Sequence, residues 1–579
     1  MKDLSLRWWG TGLRLWRSVA YGMDGAGFLG LIGLAVGAVV IGWASVLIGG
    51  VAEDKPVMLA VMPLVMLTAF LFIYSREAFL IVVLLIRAGA NPIFEQARMA
   101  AVGGLGGLLN ALVILLAALI ISRDPKRLPK QAWWVWGPLL LMQALGLVYS
   151  PEKMAAIRLF LGYLSVVALF LVAFFLVQDE DDFNKMLKIV TWSSVPVALV
   201  SLAYIAMGRT AGGGDALEES GLRYGGPFPH ANILAFYLVL SLGVLFYRWK
   251  SQQIGKTFFT TAVVVGYMLL LLGLLYTTKT RSAWISVLLI FSVYGLVRER
   301  RYLVYLVLIG AAGFMALPEL RERVMGLTEG NEVVQYAKLN SFAWRKLLWT
   351  DALTWMSPTR YLAGYGAESF FALSQEFFSM AGVMKWGAHS AVVQTFFELG
   401  ALGLAAYLWL YFSTARMIRR LFGVKPLLAL IGMCLLVANF LVSSSDNMFA
   451  YLIYNWYFWF CMGCLCALAM RLVPDGLREG RYRRTWGIRP SAQARARGEA
   501  GAAAERSVSA TAWLNTVPMG LTRQVPAQAG ALQGTSGNRG ASGRSGPGRG
   551  HTGRDATNGR GSDGRPDRRP GVGPEGRPR

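Results

Sequence analysis

Charge is scarce in this chain. Only 16% of its 579 residues are Asp, Glu, Lys or Arg, against about a quarter in soluble domains. With 55% of the residues hydrophobic, a soluble enzyme is excluded. Histidine is scarcer still, at three residues, and the four cysteines, Cys434, Cys461, Cys464 and Cys466, fall in late apolar runs. Cys461 and Cys464 form a CxxC, but a lipid-embedded helix is a poor redox or zinc site, so packing is their expected role. No P-loop, no glycine-rich dinucleotide turn and no HExxH pattern occurs. Nothing in the chain asks for a metal or a cofactor.

What is present is a series of long apolar runs. About 20 apolar residues at 1.5 Å rise cross a hydrocarbon layer of ~30 Å. On that measure helices are expected near 28–50, 57–73, 78–88, 101–121, 132–148, 157–177 and 186–207. A second set is expected near 231–247, 258–276, 282–297, 302–317, 390–413, 427–446 and 450–470. The chain is read as an all-α polytopic membrane protein with about 12 to 14 transmembrane helices, 78–88 being short enough to be re-entrant. The first run is too long for a signal-peptide core and is read as a retained helix. Counting crossings puts the basic connections Lys2 to Arg17, Arg123 to Lys130, Arg248 to Lys256, Arg298 to Arg301 and Arg416 to Lys425 on one side. The positive-inside rule makes that side the cytoplasm and places both termini there.

The formal charge of +24 divides unevenly. From Arg484 to the end there are sixteen Arg, no Lys and six acidic residues, so this stretch alone supplies +10. Rich in Gly, Ala, Arg, Ser and Pro, it lacks the apolar surface to fold. Such a stretch could bind RNA or anionic lipid, but residues 474–579 are expected to be a disordered, Arg/Gly-rich cytoplasmic tail, a solvated appendage with no nucleic-acid partner.

The outward side carries the two longest connections, Gly208 to Pro229 and Pro318 to Ala388. A loop as long as the second usually carries function. Within it Trp344, Leu347, Leu348, Ala352, Trp355 and Met356 recur at helical spacing, and Ser369 to Met384 is aromatic-rich. Amphipathic helices in the outer headgroup region fit both patterns, either as a plain cap or as a lid over a lipid-substrate groove.

Polar chemistry has few places to occur. His551 lies in the tail, which leaves His230 and His389, each where a long outward loop re-enters the membrane. Imidazole takes a proton near neutral pH, and equally serves as a hydrogen-bonding group at a helix start. Lys279, Arg281, Arg223 and Arg209 add cations on the outward side, where such residues are disfavoured. Guanidinium binds phosphate through a planar fork and ammonium as a point charge, so the group suits a phosphorylated lipid. The bland alternatives are ordinary anionic lipid or pairing with Asp215, Glu218 and Glu219. Glu398, about 13 Å below the start of its helix, is expected to specify packing beside Gly400 and Gly403. Asp179-Glu-Asp-Asp resembles an acidic metal motif of nucleotide-sugar glycosyltransferases, but in a short cytoplasmic turn it reads as a linker or helix cap.

Four segments together resemble the O-antigen ligase and polymerase superfamily of bacterial envelope enzymes. They are Arg223-Tyr-Gly-Gly-Pro-Phe-Pro-His-Ala-Asn232, Thr277-Thr-Lys-Thr-Arg-Ser-Ala-Trp284, Ala363-Gly-Tyr-Gly-Ala-Glu-Ser-Phe370 and the run His389-Ser-Ala-Val-Val-Gln-Thr-Phe-Phe-Glu-Leu-Gly-Ala-Leu-Gly403. The likeness covers roughly residues 130 to 470. The N-terminal transmembrane helices read over 1–130 and the tail lie outside it. It implies a catalytic transmembrane domain over 131–473, with periplasmic loops at 208–230 and 318–388. It also implies an inner-membrane enzyme moving a glycan from undecaprenyl diphosphate to an acceptor hydroxyl at the periplasmic face, without metal and with inversion. On that basis Arg281, Arg223 and Lys279 fall to the diphosphate, and His389 and Arg281 to catalysis. His230 and Asn232 are weaker candidates for acceptor binding, as is Arg345, which would also come near the diphosphate if the loop folds over the site. The partners implied are the lipid-linked donor, lipid A core or another glycan or protein acceptor, and membrane lipids.

The acceptor separates a ligase, a polymerase and a protein O-oligosaccharyltransferase within the superfamily, and the ligase reading is placed first on the His389 segment. A transporter of the same lipid-linked glycan is the alternative of another class. Transporters place ionisable groups near the midplane and use repeats with broken helices, whereas here the polar residues collect at outward helix ends.

Overall fold

The computed structural model describes residues 67–68, 70–96, 104–209, 223–255, 257–316, 321 and 341–473. The expected helix at 28–50, the first ten residues of 57–73, Asp215, Glu218, Glu219 and the tail with His551 lie outside the described residues. In chain order the helices are α1 Arg76–Ile86, α2 Asn91–Gln96, α3 Gly104–Arg123, α4 Lys130–Val148, α5 Lys153–Leu176, α6 Glu180–Ala206, α7 Ala231–Lys250 and α8 Phe258–Thr277. They continue as α9 Arg281–Val297, α10 Arg301–Ala316, α11 Ser341–Trp355, α12 Ser369–Phe377, α13 Ala391–Arg419, α14 Pro426–Ser443 and α15 Leu452–Leu472. Eight of these are long and apolar enough to cross a membrane, with α9 and α10 as shorter apolar helices. Among the described residues there is no strand. The chain is an all-α polytopic membrane protein.

The centre of the bundle is α7 and α15, buried along nearly their whole lengths. Gly463 lets α15 approach α5, since a Cβ there would lie 2.6 Å from the Phe170 carbonyl oxygen. The Trp456 indole donates to Ser165 Oγ at 2.8 Å across the same contact. All four cysteines are buried and free. Asp179 caps α6, accepting from the Asp182 amide at 2.8 Å, so the acidic run serves as a helix start.

Polar contacts sort to the two ends of the bundle. At one end Lys250 meets Glu299 at 2.7 Å, Lys425 meets Glu180 at 2.6 Å and Gln253 donates to Asn184 at 2.7 Å. At the other, Asn232 donates to Asp446 at 2.7 Å, Asn447 to Gln394 at 2.7 Å and Lys385 pairs with Glu152 at 3.1 Å. Connections assigned to one side by counting crossings therefore touch one another. These are called the basic end and the histidine end below.

One expected span is not a single helix. A continuous helix is expected over 390–413, but α13 breaks at Gly400, whose φ of 67° lies in the left-handed region. The break frees backbone groups that lipid cannot satisfy. The loop segment 361–366 satisfies them. Phe397 and Glu398 carbonyls accept from the amides of Tyr365 and Gly366 at 3.1 and 2.8 Å, and the amides of Ala401 and Leu402 donate to Tyr361 and Leu362 carbonyls at 2.7 and 3.2 Å. A Cβ on Gly400 would fall 2.3 Å from the Leu362 carbonyl carbon, and one on Gly364 2.3 Å from Glu398. Two of the segments singled out in the sequence thus lock together, and only glycine fits at both crossings.

Above the break the loop has a core of its own. Leu348 and Ala352 from α11, Met356 just after it, Phe370 and Phe377 from α12, and Phe378 close over Phe397. The amphipathic pattern read around Trp344 to Met356 is α11, and its apolar stripe faces this core. Ser369 to Met384 is helical only to Phe377, after which the chain turns back towards His389.

Candidate active site

Arg223 organises the histidine end. Its Nε donates to the Thr278 carbonyl at 3.0 Å, and its Nη2 to Asn232 Oδ1 at 2.7 Å and Thr280 Oγ1 at 3.2 Å. The Thr280 hydroxyl donates to the same Asn232 oxygen at 3.0 Å. One guanidinium therefore ties the start of α7 to the turn between α8 and α9, which carries Lys279 and Arg281. Asn232 passes the link on, donating to Asp446 Oδ2. Asp446 in turn accepts from the Tyr451 hydroxyl at 2.9 and 3.1 Å and from the Asn447 amide at 2.9 Å. Asn232 is expected to bind an acceptor. In the structure its carbonyl oxygen receives two donors and its amide donates to Asp446.

The two histidines turn out to be unlike. His230 is the N-cap of α7, its Nδ1 accepting from the Asn232 amide at 3.2 Å, with its ring stacked on Tyr451 at 6.0 Å. With Nδ1 used as an acceptor, the neutral ring carries its proton on Nε2. His389 caps nothing, since Ser390 is the N-cap of α13 and accepts from the Val393 amide at 3.2 Å. The His389 backbone is left-handed, with φ 47°, a conformation unfavourable by roughly 1 kcal/mol for a side chain of this kind. That turn sets the imidazole edge-on against Trp344 of α11, at 5.9 Å.

Arg345, one residue on, lies close enough to act electrostatically on His389, His230 and Tyr451. The long loop therefore folds over the site. Burial first, and then the Arg345 charge, push the His389 imidazole below its ordinary value, while Asp446 pulls it up. His230 is lowered too, first by burial, against the pull of Asp446 and together with the charges of Arg223 and Arg345. Its ring keeps an exposed face at the mouth of the site, which limits the size of that shift.

Lys279 takes the left-handed position that ends α8, with φ 54°, where glycine is usual. Arg281 opens α9 and is exposed. Both share the turn that Arg223 grips. Arg209 stacks on Tyr204 at 5.5 Å, at the end of α6. Glu398 accepts from Gln394 at 3.0 Å and from the amides of Glu368 and Phe370 at the start of α12. Its carboxyl thus bonds locally within α13 and also reaches across to the start of the loop helix α12. Asp446 and Tyr451 were not singled out in the sequence. The signal was the run Ser443-Ser-Ser-Asp-Asn447, five polar residues in a row between two late spans.

These features define a class: a helical membrane protein with a polar cluster in which imidazole and guanidinium groups, among the described residues, gather around the Asp446 carboxylate under a folded extramembrane loop. The family follows from comparison. A family model described as O-Antigen ligase matches residues 266–408, from within α8 through the loop and past the break in α13, taking in Lys279, Arg281, Arg345 and His389. Over those residues the chain is similar to the O-antigen ligase family, which supports the O-antigen ligase superfamily of membrane glycosyltransferase-like enzymes. No curated protein matches the chain.

Proposed function

We propose that this protein transfers a glycan from undecaprenyl diphosphate to a hydroxyl of lipid A core, at the periplasmic face of the bacterial inner membrane. The acceptor oxygen forms a bond to the anomeric carbon as the bond from that carbon to the diphosphate oxygen breaks, with inversion. The bonding electrons leave on the diphosphate. Arg281 and Lys279 meet that charge on the turn which Arg223 holds in place, as oriented donors do for any developing anion in a water-poor site. The acceptor proton passes to His389, whose ring nitrogens make no cap or backbone hydrogen bond among the described residues and whose lowered affinity for protons favours the basic form near neutral pH. His230, with Nδ1 engaged, offers an Nε2 proton to an acceptor oxygen instead. No metal takes part in the proposed displacement.

The observation that carries this reading is the convergence of His389, His230, Arg345 and Arg223 around Asp446, next to Lys279 and Arg281. The breaking of α13 gives a specific point to the transporter alternative, since broken helices are a transporter device. Here, however, loop backbone pairs with Phe397, Glu398, Ala401 and Leu402 on both sides of the break, which favours a packed structural break over a cargo site. The test is purified protein in liposomes with undecaprenyl-diphosphate glycan, chelator, and a panel of lipid A core, a second carrier-linked repeat and a pilin peptide. Product on lipid A core that is lost in His389→Ala supports the ligase. Product on another panel member moves the protein to the polymerase or protein-transferase branch. Glycan crossing the bilayer with no product on any acceptor sinks the transferase reading.

A further inference from the structure

The basic end holds a feature that glycan transfer does not use. Between the start of α4 and the end of α13 runs a groove of about 290 Å³, walled by Trp134, Trp409 and Phe412 and closed at its end by Arg416 and Arg420. Its upper wall is fastened for a definite reason. Pro138, inside α4, has no N–H for the carbonyl four residues before it, and the Trp409 indole donates to that Trp134 carbonyl at 2.7 Å. An unpaired carbonyl facing lipid would cost several kcal/mol, so the contact holds the two helices in register.

Three cations at this end have carboxylate partners. Lys425 has Glu180, while Lys250 and Arg301 share Glu299. No carboxylate lines the groove. Arg416 is exposed and makes no hydrogen bond or ion pair among the described residues. Arg416 and Arg420 stand one turn apart on the same face, about 6 Å between side-chain bases, a spacing that one phosphate spans. From Arg416 back to Trp409 the aromatic wall continues for about 10 Å towards the middle of the bundle, and Trp134 and Phe412 remain 65% and 59% exposed on it. A free anion would use only the mouth of such a groove. A molecule with a charged head and an apolar chain uses all of it.

We propose that this groove is a binding site for an anionic glycerophospholipid, its phosphate between Arg416 and Arg420 and an acyl chain along Trp134, Trp409 and Phe412. The site is separate from the histidine end and does not depend on the proposed activity. Native mass spectrometry of the full-length protein in mild detergent tests it, with dioleoyl phosphatidylglycerol, dioleoyl phosphatidylcholine and inorganic phosphate as probes. Phosphatidylglycerol is expected to be retained about fivefold more than phosphatidylcholine, and Arg416→Gln to remove that preference. Arg419→Gln, one residue off the groove, is expected to keep it. Ser413→Phe, which fills the groove and leaves both charges, is expected to lose the lipid as Arg416→Gln does. Equal retention of the two lipids, or an unchanged preference in Arg416→Gln, overturns the site. Displacement of phosphatidylglycerol by millimolar inorganic phosphate overturns the lipid assignment, because a lipid held along its chain resists a free anion.

Discussion

At the basic end, Lys250 and Arg301 share Glu299, and Lys425 takes Glu180. At the histidine end, two imidazoles and the Arg223 and Arg345 guanidiniums surround one carboxylate, Asp446. The two ends treat their titratable groups in opposite ways. Burial alone would raise Glu299, but hydrogen bonds from Lys250, Tyr294 and Arg301 outweigh it and hold the carboxyl at about 2. His230 and His389 are instead held neutral, by burial and neighbouring cations. At the basic end Glu299 and Glu180 each hold a cation from another segment and so tie helices together. The charges at the histidine end leave an excess of positive potential, which is what an anionic ligand requires.

The largest expected break of this contrast is His389→Ala. Transfer should fall by about 10² to 10⁴, the usual worth of a general base, with normal protein in the membrane. Near-normal turnover in the liposome assay would remove the mechanism. Next comes Arg281→Lys, which keeps charge and loses the fork. A drop of about 10² is expected, and an unchanged rate would mean that Arg281 does not touch the leaving group.

Asp446→Asn sharpens the comparison from within. Asp446 raises both imidazoles, so its loss should lower them further. The acid limb of the rate profile is expected below the ordinary histidine value of about 6.5 and should move to still lower pH in this variant. A general loss of rate with no such movement would assign Asp446 to packing alone. Stability carries the matching sign. Because folded His389 binds its proton less readily than the unfolded chain does, stability should fall as pH drops from about 6.5 through the folded value.

The smallest effect is expected at the other end. Glu299→Gln should leave transfer unchanged and cost about 1 kcal/mol or less, since the pair is partly exposed. Its contribution is present above the unfolded carboxyl value of about 4.3 and is lost as pH falls towards 2. Thermal unfolding of both forms at pH 7 and pH 3 measures it, and a loss of transfer would show that the two ends are coupled.

Much of the helical frame was legible because its cause is local. An apolar run of membrane length announces itself whatever surrounds it, and α5, α7, α8 and α15 fall within a few residues of their expected places. His389, Arg281 and Lys279 were legible as polar groups stranded at helix ends. The break in α13 was not, because Gly400 beside Leu399 reads as ordinary small-residue packing until Leu362 is seen to occupy the gap. Asp446 was missed for a similar reason: a lone acid in a short turn means little until Asn232, 214 positions away, donates to it.

By itself the sequence determined an all-helical membrane protein, the pairing of its loops by side, and the few residues able to carry charge chemistry. Hydrophobicity and charge are properties of short stretches, and the membrane sorts them without reference to the rest of the chain. Tertiary structure alone decided that His230 is a cap and His389 is not, that Arg345 reaches the site, and that Asn232 serves Arg223. Those roles depend on which donors and acceptors meet across distant segments, and hydrogen bonds, being short and directional, are settled only when the helices have packed.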